Sequence, residues 1–191
     1  MMHRDPRRCW PAGDDPLMDR YHDEEWGVPA HDGLRHFEYL ILDAFQAGLS
    51  WRCVLHKREG FRKAFAQFDP EAVARFGAKD VRRLLGDDGI IRNRQKIEAA
   101  IRNAKAFLGI KDFDAHIWGF VEGRPRVNRW TSIRQVPART RQSDAMSEDL
   151  KSRGFSFVGS TICYAYMQAA GLVNDHLVAC PRHRACQVLT K

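Results

Sequence analysis

The stretch from Gly154 to Cys180 constrains this chain more than any other part of it. Gly154 tolerates the left-handed conformation that many helix ends need, so it stops a helix expected over 144–153 with Ser143 as its cap. Gly159 then reopens the chain, with Ser160 and Thr161 at the start of a second helix that ends near Gly171. A glycine turn feeding a helix N-terminus presents backbone N–H groups to which a phosphate can bind. An ordinary helical hairpin has the same pattern. Behind the second helix, Asn174, Asp175 and His176 cluster, and Cys180 follows four residues after the histidine. On a helix that spacing puts both ligand types on one face, where they can share a zinc ion.

The remainder reads as helical. The span 1–16 holds three prolines and a glycine and is expected to be irregular. A short aromatic-rich helix or turn is expected at 17–27, and a long helix at 33–47, where Phe37, Leu40, Ile41, Ala44 and Phe45 keep the helical period. Further helices are expected over 51–58 and 61–68. Asp69-Pro70-Glu71 is a helix start by its cap, its proline at the first position and its acid. Short helices at 78–86 and 114–121 flank the clearest one, 92–109, whose apolar stripe runs Ile97, Ala100, Ile101, Ala104, Phe107, Leu108. Its opposite face carries Arg94, Lys96, Arg102 and Lys105. The span 122–142 holds six arginines and no period. It is read as a loop packed on one helical domain rather than as a linker. No β-alternation stands out, so the expectation is an all-α chain forming a single domain over 1–191.

Composition narrows the classes. A formal net charge of +7 fits a nucleic-acid partner, although a merely basic protein has the same sum. Five cysteines are an odd number without a secreted-framework spacing, so reduced thiols and metal ligands are expected. The charged first ten residues exclude a secretory signal, and no apolar run reaches the ~18 residues of a membrane span. The expected location is the cytoplasm, in a bacterial cell in association with the nucleoid.

Two constellations can carry chemistry. Cys9-x12-His22 near the start and His176-x3-Cys180 near the end make a Cys2His2 set for a closed structural zinc site, with His183 and Cys186 as rival ligands. The spacing is not that of a finger, and four unrelated residues are the bland alternative. Asp43 is a carboxylate inside an otherwise apolar helix, which is costly unless it is paired or used. Tyr21, Trp26 and Trp51 are aromatics that can stack on a planar base. The bland alternative puts Asp43 on the wet face and the rings in the core.

Four segments together carry a resemblance: Tyr-His-Asp-Glu-Glu-Trp-Gly-Val-Pro at 21–29, Phe-Gln-Ala-Gly-Leu-Ser-Trp at 45–51, Gly-Ile-Ile-Arg-Asn-Arg-Gln-Lys-Ile at 89–97, and the whole of 154–180. In this order they resemble the 3-methyladenine DNA glycosylase I family, a divergent branch of the helix–hairpin–helix DNA glycosylases. The resemblance runs from about Cys9 to Cys180. It implies a helix–hairpin–helix over about 144–171 and a zinc-binding segment over 172–186. It implies one structural zinc on Cys9, His22, His176 and Cys180, and a base pocket on Tyr21, Trp26, Trp51 and the acid at position 43. It implies excision of 3-methyladenine from alkylated double-stranded DNA, with the free base as product.

Three departures qualify it. The pocket acid of well-known members is glutamate, and here it is Asp43, one methylene shorter. A pocket tyrosine is replaced by Met18. Where the wider superfamily keeps the aspartate that drives excision and, in bifunctional members, a nucleophilic lysine, this chain has Asn174 and Thr161. The resemblance therefore implies a monofunctional enzyme without lyase chemistry, and a monomeric enzyme is expected. In it, the Gly48-Leu49 turn fills the gap in the duplex, and Gly159, Ser160 and Thr161 grip phosphate. The alternatives are a glycosylase for another alkylated base, a zinc-stapled DNA-binding module without catalysis, and a metal-dependent hydrolase.

Overall fold

The structure is a computed structural model that describes residues 8–10 and 15–188. It is mostly helical. Helix α2 (Gly33–Gln46) runs through the middle and packs against α3 (Trp51–His56), α7 (Arg94–Leu108), α8 (Phe113–Gly119) and α10 (Ser160–Ala169). Asp32 starts α2 by accepting from the Leu34 N–H, and Gly48, at a φ of +78°, turns the chain just beyond its end. Phe37, Leu40, Ile41, Leu42 and Phe45 are all fully buried, so α2 has almost no wet face. Phe45 meets Phe61 edge-to-face at 4.7 Å, and Phe37 packs on Phe107 at 5.2 Å.

Around that axis stand α1 (Pro16–Glu24), α4 (Arg58–Ala64), α5 (Pro70–Ala74), α6 (Ala78–Leu85), α9 (Arg141–Ser152) and α11 (Pro181–Val188). The Asp69-Pro70 start is present, with the Asp69 carboxylate accepting from the Glu71 N–H. Of the irregular span 1–16, only residues 8–10, 15 and 16 lie among the described residues, and Pro16 already opens α1. Other boundaries also differ from expectation. The helix expected over 61–68 ends at Ala64, because Ala66, Gln67 and Phe68 all take positive φ and break the right-handed ladder. Helix α9 starts three residues earlier than expected. Thr140 is its cap and Ser143 sits at the third helical position, closing a capping box with it.

The all-α expectation needs one correction. Strand β1 (Arg126–Val127) pairs in parallel with β2 (Val173–Asn174), in register Arg126 to Val173 and Val127 to Asn174. Two residues are too few to show an alternating pattern. The pairing holds the start of the arginine-rich 122–142 segment against the chain that follows α10. No helix among the described residues is long and apolar enough to cross a membrane.

Candidate active site and metal cluster

Helix α2 buries three polar side chains, and only two find partners. His36 is held on both ring nitrogens, by Asp114 at 2.9 Å and the Tyr166 hydroxyl at 2.7 Å. The Tyr39 hydroxyl accepts from Arg35 at 3.1 Å and donates to Glu25 at 3.2 Å. Asp43 is 2% exposed, and its Oδ2 has no hydrogen-bond partner among the described residues. Burial alone pushes its carboxyl well above the ordinary value of 3.8. A buried carboxylate without a partner is expensive, and this one opens on a cavity.

That cavity, of about 270 Å³, is lined by Asp43 together with Met18 and Tyr21 of α1, Trp26, Trp51 of α3, Gln46, and Ala165 and Gln168 of α10. The wet-face reading of Asp43 is therefore excluded, and the expected aromatics converge on the same space. Tyr21 and Trp51 meet at 5.0 Å with a 44° tilt, which leaves a corner rather than a slot. Tyr21 is also pushed up, first by burial and then by the Asp43 charge. Five walls were not anticipated: Trp10, Gln46, Ile133, Ala165 and Gln168. The indole N–H groups of Trp10 and Trp51 are buried without acceptors among the described residues. Three residues with an unpaired buried polar atom line one mostly apolar cavity, which suits a polar, planar guest.

Asp15 locks the walls together. It caps α1 through the Leu17 and Met18 N–H groups, and its other oxygen accepts from His56 at 2.8 Å and Arg52 at 2.7 Å on α3. The His56 bond leads the causes that hold the Asp15 carboxyl below its ordinary value.

The metal set also converges. Cys9, His22, His176 and Cys180 are buried, and their ligand atoms lie within 4.8 Å of one another. Cys9 Sγ is 3.4 Å from His176 Nδ1, and Cys180 Sγ is 3.8 Å from both His22 Nε2 and His176 Nδ1. A tetrahedral zinc with bonds of about 2.3 Å to sulfur and about 2.0 Å to nitrogen sets unlike ligands about 3.5 Å apart. The remaining histidine nitrogens carry the protons. His22 Nδ1 donates to Asp23 at 2.7 Å, and His176 Nε2 donates to the Trp26 carbonyl at 2.9 Å. The Leu177 N–H donates to Cys9 Sγ, and a hydrogen bond from Cys9 leads the causes that hold the Cys180 thiol low. The four residues fit a metal ion.

The rivals are excluded from the cluster. His183 spends its ring on the Asn128 carbonyl and Gln187, and Cys186 lies beside Arg182. One expectation fails: His176 and Cys180 do not share a helical face. They lie on the turn between β2 and α11, closed by the Cys180 N–H to the Leu177 carbonyl at 2.8 Å. Pro181 opens α11, and a residue before proline is disfavoured in the helical region.

Cluster and cavity share a wall. Trp26 meets His176 at 4.7 Å and Trp10 at 4.6 Å, both edge-to-face, and Trp10 follows Cys9 directly. Asn174 and Asp175 are fully engaged. Asn174 donates to the His183 carbonyl and accepts from the His176 N–H. Asp175 accepts four hydrogen bonds, from Asn128, Trp130, Tyr164 and Gln168.

Of the two expected DNA-contacting turns, that at 47–50 lies between two cavity residues, Gln46 and Trp51. Leu49 is 42% exposed on the turn between Gln46 and Trp51, and nothing lies within 4 Å of a Cβ placed on Gly48. This turn is held from behind. Lys96 is buried, not on the basic outer face of α7, and its ammonium donates to the Phe45 carbonyl at 2.8 Å and the Ala47 carbonyl at 2.5 Å. Gly159 caps α10 with open space in front of it. The Ser160 hydroxyl is already committed to Asp144 and Ser143, so the first-turn backbone N–H groups and the exposed Thr161 are what this end offers.

Comparison with known proteins agrees with this geometry. The profile of the methyladenine glycosylase family matches residues 10–183. DNA-3-methyladenine glycosylase 1 of Escherichia coli (strain K12) is 51% identical over 177 residues, covering 91% of this chain and 95% of that one. The crystal structure of a 3-methyladenine DNA glycosylase I superposes with a TM-score of 0.89 at 49% identity, over 91% of this chain and 98% of the other. A tyrosine-to-phenylalanine variant of such an enzyme, solved in complex with 3-methyladenine, superposes at 0.88 with 34% identity, over 91% and 95%. The chain belongs to the methyladenine glycosylase family.

Proposed function

We propose that this protein is a monofunctional DNA glycosylase of base-excision repair. It hydrolyses the N-glycosidic bond of 3-methyladenine in alkylated double-stranded DNA and releases the free base. The observation that carries the reading is the unpaired Asp43 Oδ2 at an aromatic cavity, in a chain half identical to an enzyme of that name.

The N3-methylated adenine of DNA is cationic and a good leaving group, so the enzyme needs recognition more than acid catalysis. Extrusion costs a few kcal/mol, less for a damaged base whose stacking is weakened. The extruded ring stacks on Trp51 or Tyr21 and meets the other obliquely, and a cationic ring gains cation–π attraction there. Its positive charge favours the ionised form of Asp43, which burial disfavours in the free protein. A neutral adenine gives no such compensation, so the cost of ionising Asp43 becomes selectivity. Water attacks the sugar as the bond breaks. Asp43 touches the reacting base and is the catalytic residue of this reading, with Tyr21, Trp26 and Trp51 as base-binding residues.

Gly159, Ser160 and Thr161 bind phosphate in a helix–hairpin–helix made of α9, the 153–159 turn and α10. Gly48 and Leu49 fill the space left in the duplex. Cys9, His22, His176 and Cys180 hold one structural zinc. Such an ion closes a four-ligand shell and supplies fold stability rather than a reactive water. It ties the segment that carries Trp10 to the chain after β2. The protein acts as a single-domain monomer in the bacterial cytoplasm, at the nucleoid. Thr161, at the place of a Schiff-base lysine, accounts for a reaction without lyase chemistry.

The test is chromatography of bases released from methylated duplex DNA by wild type, Asp43→Glu and Asp43→Asn. Wild type is expected to release 3-methyladenine and to leave the strand unbroken until alkali or heat is applied. Release of a different alkylated base, or of none, sinks the reading.

A further inference from the structure

The arginine-rich 122–142 segment enters the base cavity through one side chain. Ile133 lines the cavity with Met18, Tyr21 and Trp51, yet it remains 45% exposed. An exposed isoleucine on the rim of an apolar cavity gains free energy when something covers it. Its turn is rigidly built. Gln135 Oε1 accepts from the Thr131 N–H at 2.8 Å and the Ser132 N–H at 3.1 Å, and Ser132 Oγ accepts from the Arg134 N–H.

The base of the segment is anchored as firmly. Asn128 Nδ2 and Trp130 Nε1 donate to Asp175 Oδ1 at 2.6 and 2.7 Å, and the Trp130 carbonyl accepts from the Val178 N–H at 2.9 Å. The other oxygen of Asp175 takes Tyr164 at 2.6 Å and Gln168 at 2.8 Å, and Gln168 is itself a cavity wall. One buried carboxylate thus ties the rim turn to the pocket wall on α10.

We propose that Ile133 is a base-contacting residue that covers the extruded nucleotide at the rim of the pocket, and that Trp130 and Asp175 are positioning residues that set where it stands. This rests on the glycosylase reading above. The occupant follows from continuity: Ile133 faces the space that holds the base against Trp51 and Tyr21. A phosphate backbone is served by the exposed neighbours Arg129 and Arg134, not by an aliphatic side chain.

The test uses the full-length protein as wild type, Ile133→Ala, Trp130→Phe and the double variant. Four quantities are measured: affinity for free 3-methyladenine by calorimetry, single-turnover excision from a duplex with one 3-methyladenine, affinity for undamaged duplex, and Tm. Ile133→Ala is expected to weaken free-base binding and slow excision by about tenfold each, with Tm and undamaged-duplex affinity unchanged. Trp130→Phe is expected to cause a smaller loss of the same kind. The double variant should be no worse than Ile133→Ala, because the anchor then has nothing left to position.

Wild-type behaviour of Ile133→Ala overturns the proposal. So does a loss confined to undamaged duplex, or multiplication of the two single losses. Absence of 3-methyladenine release by wild type overturns the glycosylase reading as well, so the two failures are told apart.

Discussion

Cys9 Sγ and His176 Nδ1 lie 3.4 Å apart although 167 positions separate them in the chain. This contact joins the segment carrying Trp10 to the turn after β2, and it places a Cys2His2 cluster directly behind the aromatic cavity. Metal loading is therefore expected to be felt in the pocket.

Metal analysis should find one zinc per chain, and Cys180→Ser should lose it. Because a metal bound only by the folded state adds its binding free energy to stability, loss is expected to lower Tm by several degrees or more. Removal should also weaken free-base binding, since Trp10 is freed from its place. A metal-free preparation with unchanged Tm and unchanged base affinity contradicts the structural role.

Asp43→Asn is expected to reduce 3-methyladenine excision on the order of 10²-fold, because it removes one partner of a buried charge pair worth roughly 2–5 kcal/mol. Its effect on stability has the opposite sign at neutral pH. The folded-state pKa of Asp43 is raised above its unfolded value, so its favourable contribution is complete below about 4 and is lost as pH rises through the folded value. Asparagine does not titrate. Denaturant curves should thus show the variant gaining on wild type as pH increases from 4, by roughly 1 kcal/mol or more. A difference independent of pH argues against a buried, unpaired carboxyl.

Two glycines separate DNA contact from folding. A Cβ on Gly171, at a φ of +71°, meets the Val28 carbonyl carbon at 2.3 Å, so Gly171→Ala should cost about 3 kcal/mol or more. Gly159 has an ordinary φ of −62° and nothing within 4 Å of its Cβ position. Gly159→Ala should leave Tm unchanged and weaken duplex binding about three- to tenfold, as its methyl keeps phosphate away from the α10 N-terminus. Full duplex affinity in that variant would remove Gly159 from the DNA-contacting surface.

Lys96→Met removes both hydrogen bonds to the carbonyls at the end of α2 and the cation that complements that helix end. A loss of about 2–3 kcal/mol in chemical denaturation is expected. Excision should fall more than the binding of undamaged DNA, because the Gly48-Leu49 turn loses its support. Equal effects on both would mean that Lys96 only stabilises the fold.

Much of the site was readable before any coordinates. Asp43 stood out because an acid interrupts an apolar run, and that cost is a local property of the sequence. Trp10 and Ile133 did not stand out: one lies in an aperiodic stretch next to a ligand, and the other in an arginine-rich loop. Neither carries a pattern that marks a wall. Lys96 was assigned to a solvated face because lysines usually lie there, and only the approach of α2 to α7 supplies carbonyls that reward burying it.

Sequence alone determined the principal helices and the residue types. Caps, glycine stops and apolar periodicity act over a few residues, so α2, α5 and α7 emerge from local chemistry. It also determined which side chains can ligate a metal or hold a cationic ring. The tertiary structure decided which of them meet. The ladder of β1 and β2 and the meeting of Cys9 with His176 depend on partners far away in the chain. Those non-local contacts choose Cys180 over Cys186, seat Trp10 and Ile133 at the cavity, and leave Asp43 as the buried carboxylate of α2 without a partner.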